Sequence, residues 1–423
     1  MGKLVVLMIT AFVDMVGALM IIPLLPFYAK SFGASGFMVG LLVSSFSLAQ
    51  LISAPMWGRF SDRYGRRPAL IVGLAASAIA YVIFAYSGSL WLLFLSRLVQ
   101  GSGGGTVSVI QAYVADALKP EDRAKGLGWL SAATNAGVAL GPVFGSYMLS
   151  VFGEHGPGLA ATALCIVNIG FAWRFLVESR DMNEARTKPK PGRSREAIGR
   201  MFTHSNEAAP RLIWIYAIGI GAFQGTMPVL ALFLAARFGV TSKTIGYFYT
   251  YIGTMSVVTR ALILGPAIDR FGEAKLSRIG QVLLVIGLAA IPFMHRMNDP
   301  AAFAARLGGI LPVSAVAVLP FLPLAIAVAF LPLGTAFTFP CVTAMLSRVI
   351  PSNERGLYMG VQQTFGGSSR VIFPILAGWA FDRFPELPFL VSAALVAGTI
   401  ILGLGMEEFT RPPAREPETA PAA

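Results

Sequence analysis

Gly58-Arg-Phe-Ser-Asp62-Arg-Tyr-Gly65-Arg66-Arg67 is a short basic stretch between two long apolar runs, and it has a second copy half a chain later. That copy reads Gly265-Pro-Ala-Ile-Asp269-Arg-Phe-Gly272-Glu-Ala-Lys275. A further pair of stretches obeys the same duplication. Pro120 to Arg123 leads into Gly128 and Pro142, and Pro351 to Arg355 leads into Gly360 and Pro374, with equal distance from arginine to second proline. The chain therefore reads as two parallel copies of one helical unit.

Composition names the solvent around those copies. The 423 residues are 55% hydrophobic and only 13% charged, more apolar surface than a water-soluble chain can hide. A span needs about 20 apolar residues. Runs of that kind fall near 4–29, 36–58, 68–88, 90–116, 126–151, 157–177, 211–236, 243–266, 275–294, 314–347, 356–381 and 386–406. They predict an all-α membrane protein of twelve transmembrane helices in two pseudo-symmetric six-helix halves. The halves are 1–178 and 211–408, joined by a linker at 179–210 and followed by a disordered tail at 409–423.

Lys and Arg set the orientation. They crowd the loop after span 2 (Arg59, Arg63, Arg66, Arg67), the loop after span 4 (Lys119, Arg123, Lys125) and the linker, while the alternate loops are nearly bare. Both termini and the linker are expected in the cytoplasm. The net charge of +12 follows from this loop bias and gives no reason to expect nucleic acid. Residues 195–204 read either as an amphipathic helix on the membrane surface or as plain flexible linker. No cleavable leader is expected, because the first apolar run is long, carries Asp14 and lacks a small-residue cleavage site. Cys165 and Cys341 lie alone in apolar runs, and His155, His204 and His295 fall in loops. No metal cluster, nucleophile elbow or phosphate loop occurs, so no metal, cofactor or enzymatic activity is expected.

Charged and small residues inside the spans are the functional candidates. Asp14 is the one carboxylate deep in a span, about 16 Å along span 1. A charge there is costly, which makes Asp14 a candidate proton carrier or the partner of an arginine such as Arg97. Arg97, Gly101, Gly105 and Ser108 are expected on one face of span 4, with glycines for close packing. Gly137, Gly141 and Gly145 share a face of span 5, and Pro142 removes a backbone hydrogen bond there. Gly58 and Gly65 suit a tight turn. Asp62 can accept hydrogen bonds from arginines, and Arg66 and Arg67 can pair with acids across the interface between halves. Arg370 lies about 22 Å into span 11, too deep to reach the membrane surface in comfort, whereas Arg260 in span 8 can snorkel. With Arg97, they make the interior positive against Asp14, which would favour anionic or zwitterionic substrates. Asn135, Gln224, Tyr251, Gln362, Gln363 and Arg370 are the polar candidates for a cavity wall.

Two repeated halves with basic turns between spans are the layout of a secondary transporter. On these motifs the chain resembles the major facilitator superfamily, and within it the twelve-helix drug/proton antiporters, especially the tetracycline exporter branch. The resemblance implies export of a small amphipathic molecule against protons by alternating access, in a bacterial cell membrane and as a monomer. It assigns proton coupling to Asp14 and Arg97. It assigns a gating loop to Gly58, Asp62, Gly65, Arg66 and Arg67, with Asp116 as a partner and Asp269 in the weaker copy. Gly137, Gly141, Pro142 and Gly145 form its antiporter signature. The chain departs from that branch where a span 8 histidine and a span 9 aspartate are usual. Ser256 stands near the first, and the stretch 285–292 has no acid. Nutrient symport or uniport, lipid movement and ligand sensing remain alternative readings.

Overall fold

The computed structural model describes residues 2–118, 120–179, 193–204, 206–296, 319–351 and 354–406, and among them regular structure is entirely helical. The first half holds α1 (Gly2–Ile21), α2 (Leu25–Ser31), α3 (Gly36–Tyr64), α4 (Arg66–Ala85), α5 (Leu90–Ser102), α6 (Thr106–Ala117), α7 (Pro120–Phe152) and α8 (Gly156–Phe175). A linker helix, α9 (Arg193–Thr203), precedes the second half. That half holds α10 (Ala208–Phe238), α11 (Ile245–Val258), a π-turn at Thr259–Ile263, α12 (Leu264–Phe271), α13 (Glu273–Ala290), α14 (Leu322–Val349), α15 (Arg355–Arg383) and α16 (Leu387–Leu402). Nine helical stretches among the described residues are long and apolar enough to cross a membrane. The α5–α6 pair, α15 and the shorter α16 fall at the residues of the other three expected spans and are not among these nine. The protein is a multi-pass membrane protein, and large apolar side chains such as Trp91, Val167 and Ile401 stand 74%, 68% and 69% exposed on its outer faces.

Three predicted spans differ in shape from expectation. Span 1 is interrupted at residues 22–24, where Pro23 and Pro26 withhold backbone donors and restart the helix as α2. Span 4 breaks at Gly103-Gly104-Gly105, so Arg97 and Gly101 lie on α5 and Ser108 on α6 rather than on one continuous face. A side chain there would collide, since a Cβ on Gly105 would stand 2.3 Å from Trp57 Cγ. Span 2 runs on to Tyr64, which puts Gly58 inside α3 with nothing within 4 Å of a would-be Cβ, not in a turn. Gly65 alone makes the turn, at φ +101°, and Gly272 makes its counterpart between α12 and α13 at φ +74°.

The halves meet through α3 on α15 and α7 on α11. Glycines bring these backbones together at the end nearest residues 31–36. A Cβ on Gly40 would lie 2.1 Å from the Pro374 carbonyl oxygen, and one on Gly246 2.3 Å from that of Pro142. Asp382 reaches across to accept the Gly36 and Phe37 amides at 2.6 and 2.8 Å, which satisfies the start of α3. At the opposite end α12 packs on α13 of its own half. The linker helix exists: Ala197 and Met201 are buried against Leu212, Tyr358 and Met406 of the second half.

Candidate functional site

Asp14 is 5% exposed on α1 and accepts a hydrogen bond from Thr106 Oγ1 at 3.1 Å. Thr106 is the first residue of α6, so the break in span 4 places a helix N-terminus, favourable to negative charge, beside a buried carboxylate. Arg97 is not its partner. Arg97 is 2% exposed, its Nε donates to Ser96 Oγ at 3.4 Å, and its Cζ lies 5.9 Å from the Phe84 ring centroid. Its Nη2 is buried with no hydrogen-bond partner. Gln100, on the same helix as Arg97, forms a buried neutral pair instead, its Nε2 donating to Tyr81 Oη at 2.8 Å.

The glycines of span 5 set the position of α1. Cβ atoms on Gly137, Gly141 and Gly145 would meet the carbonyl oxygens of Phe12, Val16 and Met20 at 2.7, 2.8 and 2.1 Å. Three successive turns of α7 thus lie directly on the α1 backbone that carries Asp14. The other side of α7 receives α11, where Ser146 Oγ donates to the Ser242 carbonyl and accepts the Gly246 amide, both at 3.0 Å. The Gly137–Gly145 stretch is therefore a joint between α1 and the second half.

A cavity of about 250 Å³ lies between the halves, lined by α1, α3, α5, α10 and α15 residues that include Arg97, Gln100, Gln224 and Arg370. Gln224 and Arg370 line this cavity; Asn135, Tyr251, Gln362 and Gln363 are not among its lining residues. Asn135 Nδ2 donates back to the Ser131 carbonyl at 2.8 Å, and Tyr251 Oη donates to the Ala325 carbonyl at 3.1 Å. Gln363 is exposed. Gln362 is wholly buried and donates to Thr343 Oγ1 at 3.3 Å, beside a second cavity within the second half that Arg260 lines. Arg260 sits in the π-turn, where the extra residue per turn interrupts the regular ladder.

The gating stretch forms one cluster inside the first half. Arg66, 3% exposed, donates through Nε to Asp116 Oδ2 at 2.8 Å and through Nη1 to Ser61 Oγ at 2.5 Å, and its Nη1 stands 3.1 Å from Asp62 Oδ1. Its acids are on α3 and α6, so it does not pair across the interface. Arg67 donates to the Trp173 carbonyl and lies over its ring. The sequence reading missed Glu178. Its carboxylate accepts the Arg66 and Arg67 amides at 2.8 and 3.0 Å and caps α4. A lone acid at the end of span 6 was the available signal.

A second omission concerns the repeat. Arg348 Nη2 lies 2.7 Å from Glu273 Oε1. Glu273 follows Gly272 as Arg66 follows Gly65, and Arg348 precedes Arg355 as Asp116 precedes Arg123, by seven residues each. The two halves thus hold the same ion pair with its signs exchanged. This accounts for the weaker second copy. Asp62 has a cation four residues on, whereas Asp269 has Glu273 there and is exposed.

Buried charges around a cavity enclosed by two helical repeats are the construction of a solute transporter. Comparison with known proteins agrees. The model of the Major Facilitator Superfamily matches residues 7–319 and 301–423. Multidrug resistance protein 2 of Bacillus subtilis (strain 168) is 27% identical over 406 residues, covering 95% of this chain and 93% of that protein. The class C tetracycline resistance protein of Escherichia coli is 28% identical over 404 residues, covering 93% and 94%. Among solved structures the human organic anion transporter MFSD10 (TETRAN) aligns with a TM-score of 0.61 at 21% identity over 95% of this chain and 99% of its own, which is a likeness of fold. The chain belongs to the Major Facilitator Superfamily, a family of transporters and not of enzymes.

Proposed function

We propose that the protein is a twelve-span, proton-coupled antiporter that exports small amphipathic molecules from a bacterial cell by alternating access. The observation that carries the reading is Asp14: a buried carboxylate with a hydroxyl partner and no ion pair among the described residues, on the helix that also lines the cavity between the halves. Export is the direction supported by relatives that match nearly the whole chain, which are multidrug and tetracycline resistance proteins.

In this reading residues 59–67, the linker and both termini face the cytoplasm. The packed end is then external, and the described state faces inward. Asp14 loses its proton to the cytoplasm, and substrate enters the cavity. The halves then rock so that the α3–α15 and α7–α11 contacts open. Protonation from outside favours substrate release and return. Only a difference in affinity between the two states can drive such a cycle. The Arg66–Asp116 cluster keeps α3, α4 and α6 moving as one body, and the protein works as a monomer.

Substrate-evoked proton release in tight inside-out vesicles tests the reading. Wild type should collapse an imposed pH gradient when substrate is added, and Asp14→Asn should not. An unchanged response in Asp14→Asn moves coupling to another group, and silence from both proteins rejects antiport for the compounds used.

A further inference from the structure

The central cavity carries positive charge that a proton on Asp14 does not balance. Among its lining residues are two arginines, Arg97 from α5 and Arg370 from α15, and no carboxylate. Arg97 keeps Nη2 buried and unpartnered, and Arg370 likewise keeps Nε. No described acid forms an ion pair with either. Asp14, the buried carboxylate of α1, bonds Thr106 and is absent from the cavity wall. Two cations held from opposite halves without counter-charge are costly to bury unless an anion completes them.

The rest of the wall states what carries that anion. Ala18, Ile22, Leu25, Val43, Phe46 and Pro374 form an apolar surface, and Gln224 adds a neutral hydrogen-bonding group. The volume of about 250 Å³ lies just below the range usual for drug-sized ligands, roughly 300–1,000 Å³. It suits a body of one or two rings. We infer that the cavity binds an amphipathic organic anion, its carboxylate or sulfonate held between Arg97 and Arg370 and its apolar body against α1 and α3. Guanidinium groups suit such oxyanions because they offer paired donors in a plane. Because the two arginines belong to different halves, the anion also joins the halves, which gives it a different affinity for each state of the cycle. This inference rests on the proposed function only in taking the cavity as the substrate site.

The test is binding to the purified full-length protein in nanodiscs, measured by calorimetry and independent of any proton gradient. The probes are naphthalene-2-sulfonate, 2-naphthyltrimethylammonium and inorganic sulfate. Wild type should bind the naphthalene sulfonate about tenfold or more tightly than either of the others. Arg370→Gln should weaken the sulfonate by about tenfold and leave the ammonium unchanged or improved, while Arg370→Lys should retain most of the affinity. Equal affinity for both naphthalenes, preference for the ammonium, tighter binding of inorganic sulfate, or no binding to folded wild type would each overturn the inference. So would full sulfonate affinity in Arg370→Gln. Silent vesicles with the sulfonate bound would reject antiport alone. Proton release evoked only by cations would reject the anion site alone.

Discussion

At the scale of single residues, the glycines divide into those that hold a backbone contact and those that do not. Gly145 has the Met20 carbonyl oxygen 2.1 Å from where a Cβ would stand, whereas Gly128, on the same helix, has nothing within 4 Å. Gly145→Ala should therefore destabilise the protein by about 1–3 kcal/mol, because two helices must separate to admit one methyl group. Gly128→Ala should be neutral or stabilise by about 0.5–1 kcal/mol, since only helix entropy changes. Thermal unfolding of the two variants in one detergent checks this; equal Tm values would mean the α1–α7 contact bears no strain. The sequence spacing already aligned Gly137, Gly141 and Gly145 on one face; that this face meets α1 is seen only in the structure. Gly58 and Gly103 to Gly105 could not be sorted in the same way. A glycine in a helix, at a break and in a turn look alike until the neighbouring backbone is known. The Thr106–Asp14 bond was hidden for that reason, because it exists only where span 4 is broken.

At the scale of elements, the repeated joint between helices is built from one geometry and two opposite charge patterns. Arg66 and Asp116 are 3% and 27% exposed, and Glu273 and Arg348 are 8% and 59% exposed. The second pair is half in water, so its coupling should be modest, about 0.5–1 kcal/mol in a double-mutant cycle. Glu273→Arg should lower stability by placing like charges together, and Glu273→Arg with Arg348→Glu should recover most of the loss. The same exchange in the first half should fail, because an acid in place of Arg66 would face Asp62 and leave Ser61 without its donor. Unfolding midpoints of the four single and two double variants measure both halves of the claim. Equal recovery in the two halves would show that Asp62 plays no part in the joint. The repeat itself was plain in the sequence. The exchange of signs was not, because Asp116 and Arg348 are remote in the chain from the turns they join, and nothing local marks them as partners. Glu178 escaped notice for the same reason.

At the scale of the molecule, two halves share a packed end and an unpacked one, and the packed end is held by few specific bonds. Among the described residues Asp382 makes the charged ones, accepting two amides at the start of α3 from the other half. Hydrogen bonds to a charged group contribute roughly 1.5–3 kcal/mol, and their loss leaves two helix amides to find other partners. A difference of 1.4 kcal/mol is about tenfold in a two-state equilibrium. Asp382→Ala should therefore move the population by about tenfold or more toward the state in which this end is open, without touching the cavity or Asp14. Spin labels on Trp129→Cys in α7 and Leu262→Cys in the π-turn, with Cys165 and Cys341 replaced by serine, would report the opposite end. Trp129 and Leu262 are 53% and 69% exposed, so labels there meet little packing. In Asp382→Ala the distance between them should shift toward shorter values as the far end closes. An unchanged distribution would place the hold of the packed end in the close α3–α15 and α7–α11 backbones alone, with Asp382 serving only as a helix cap.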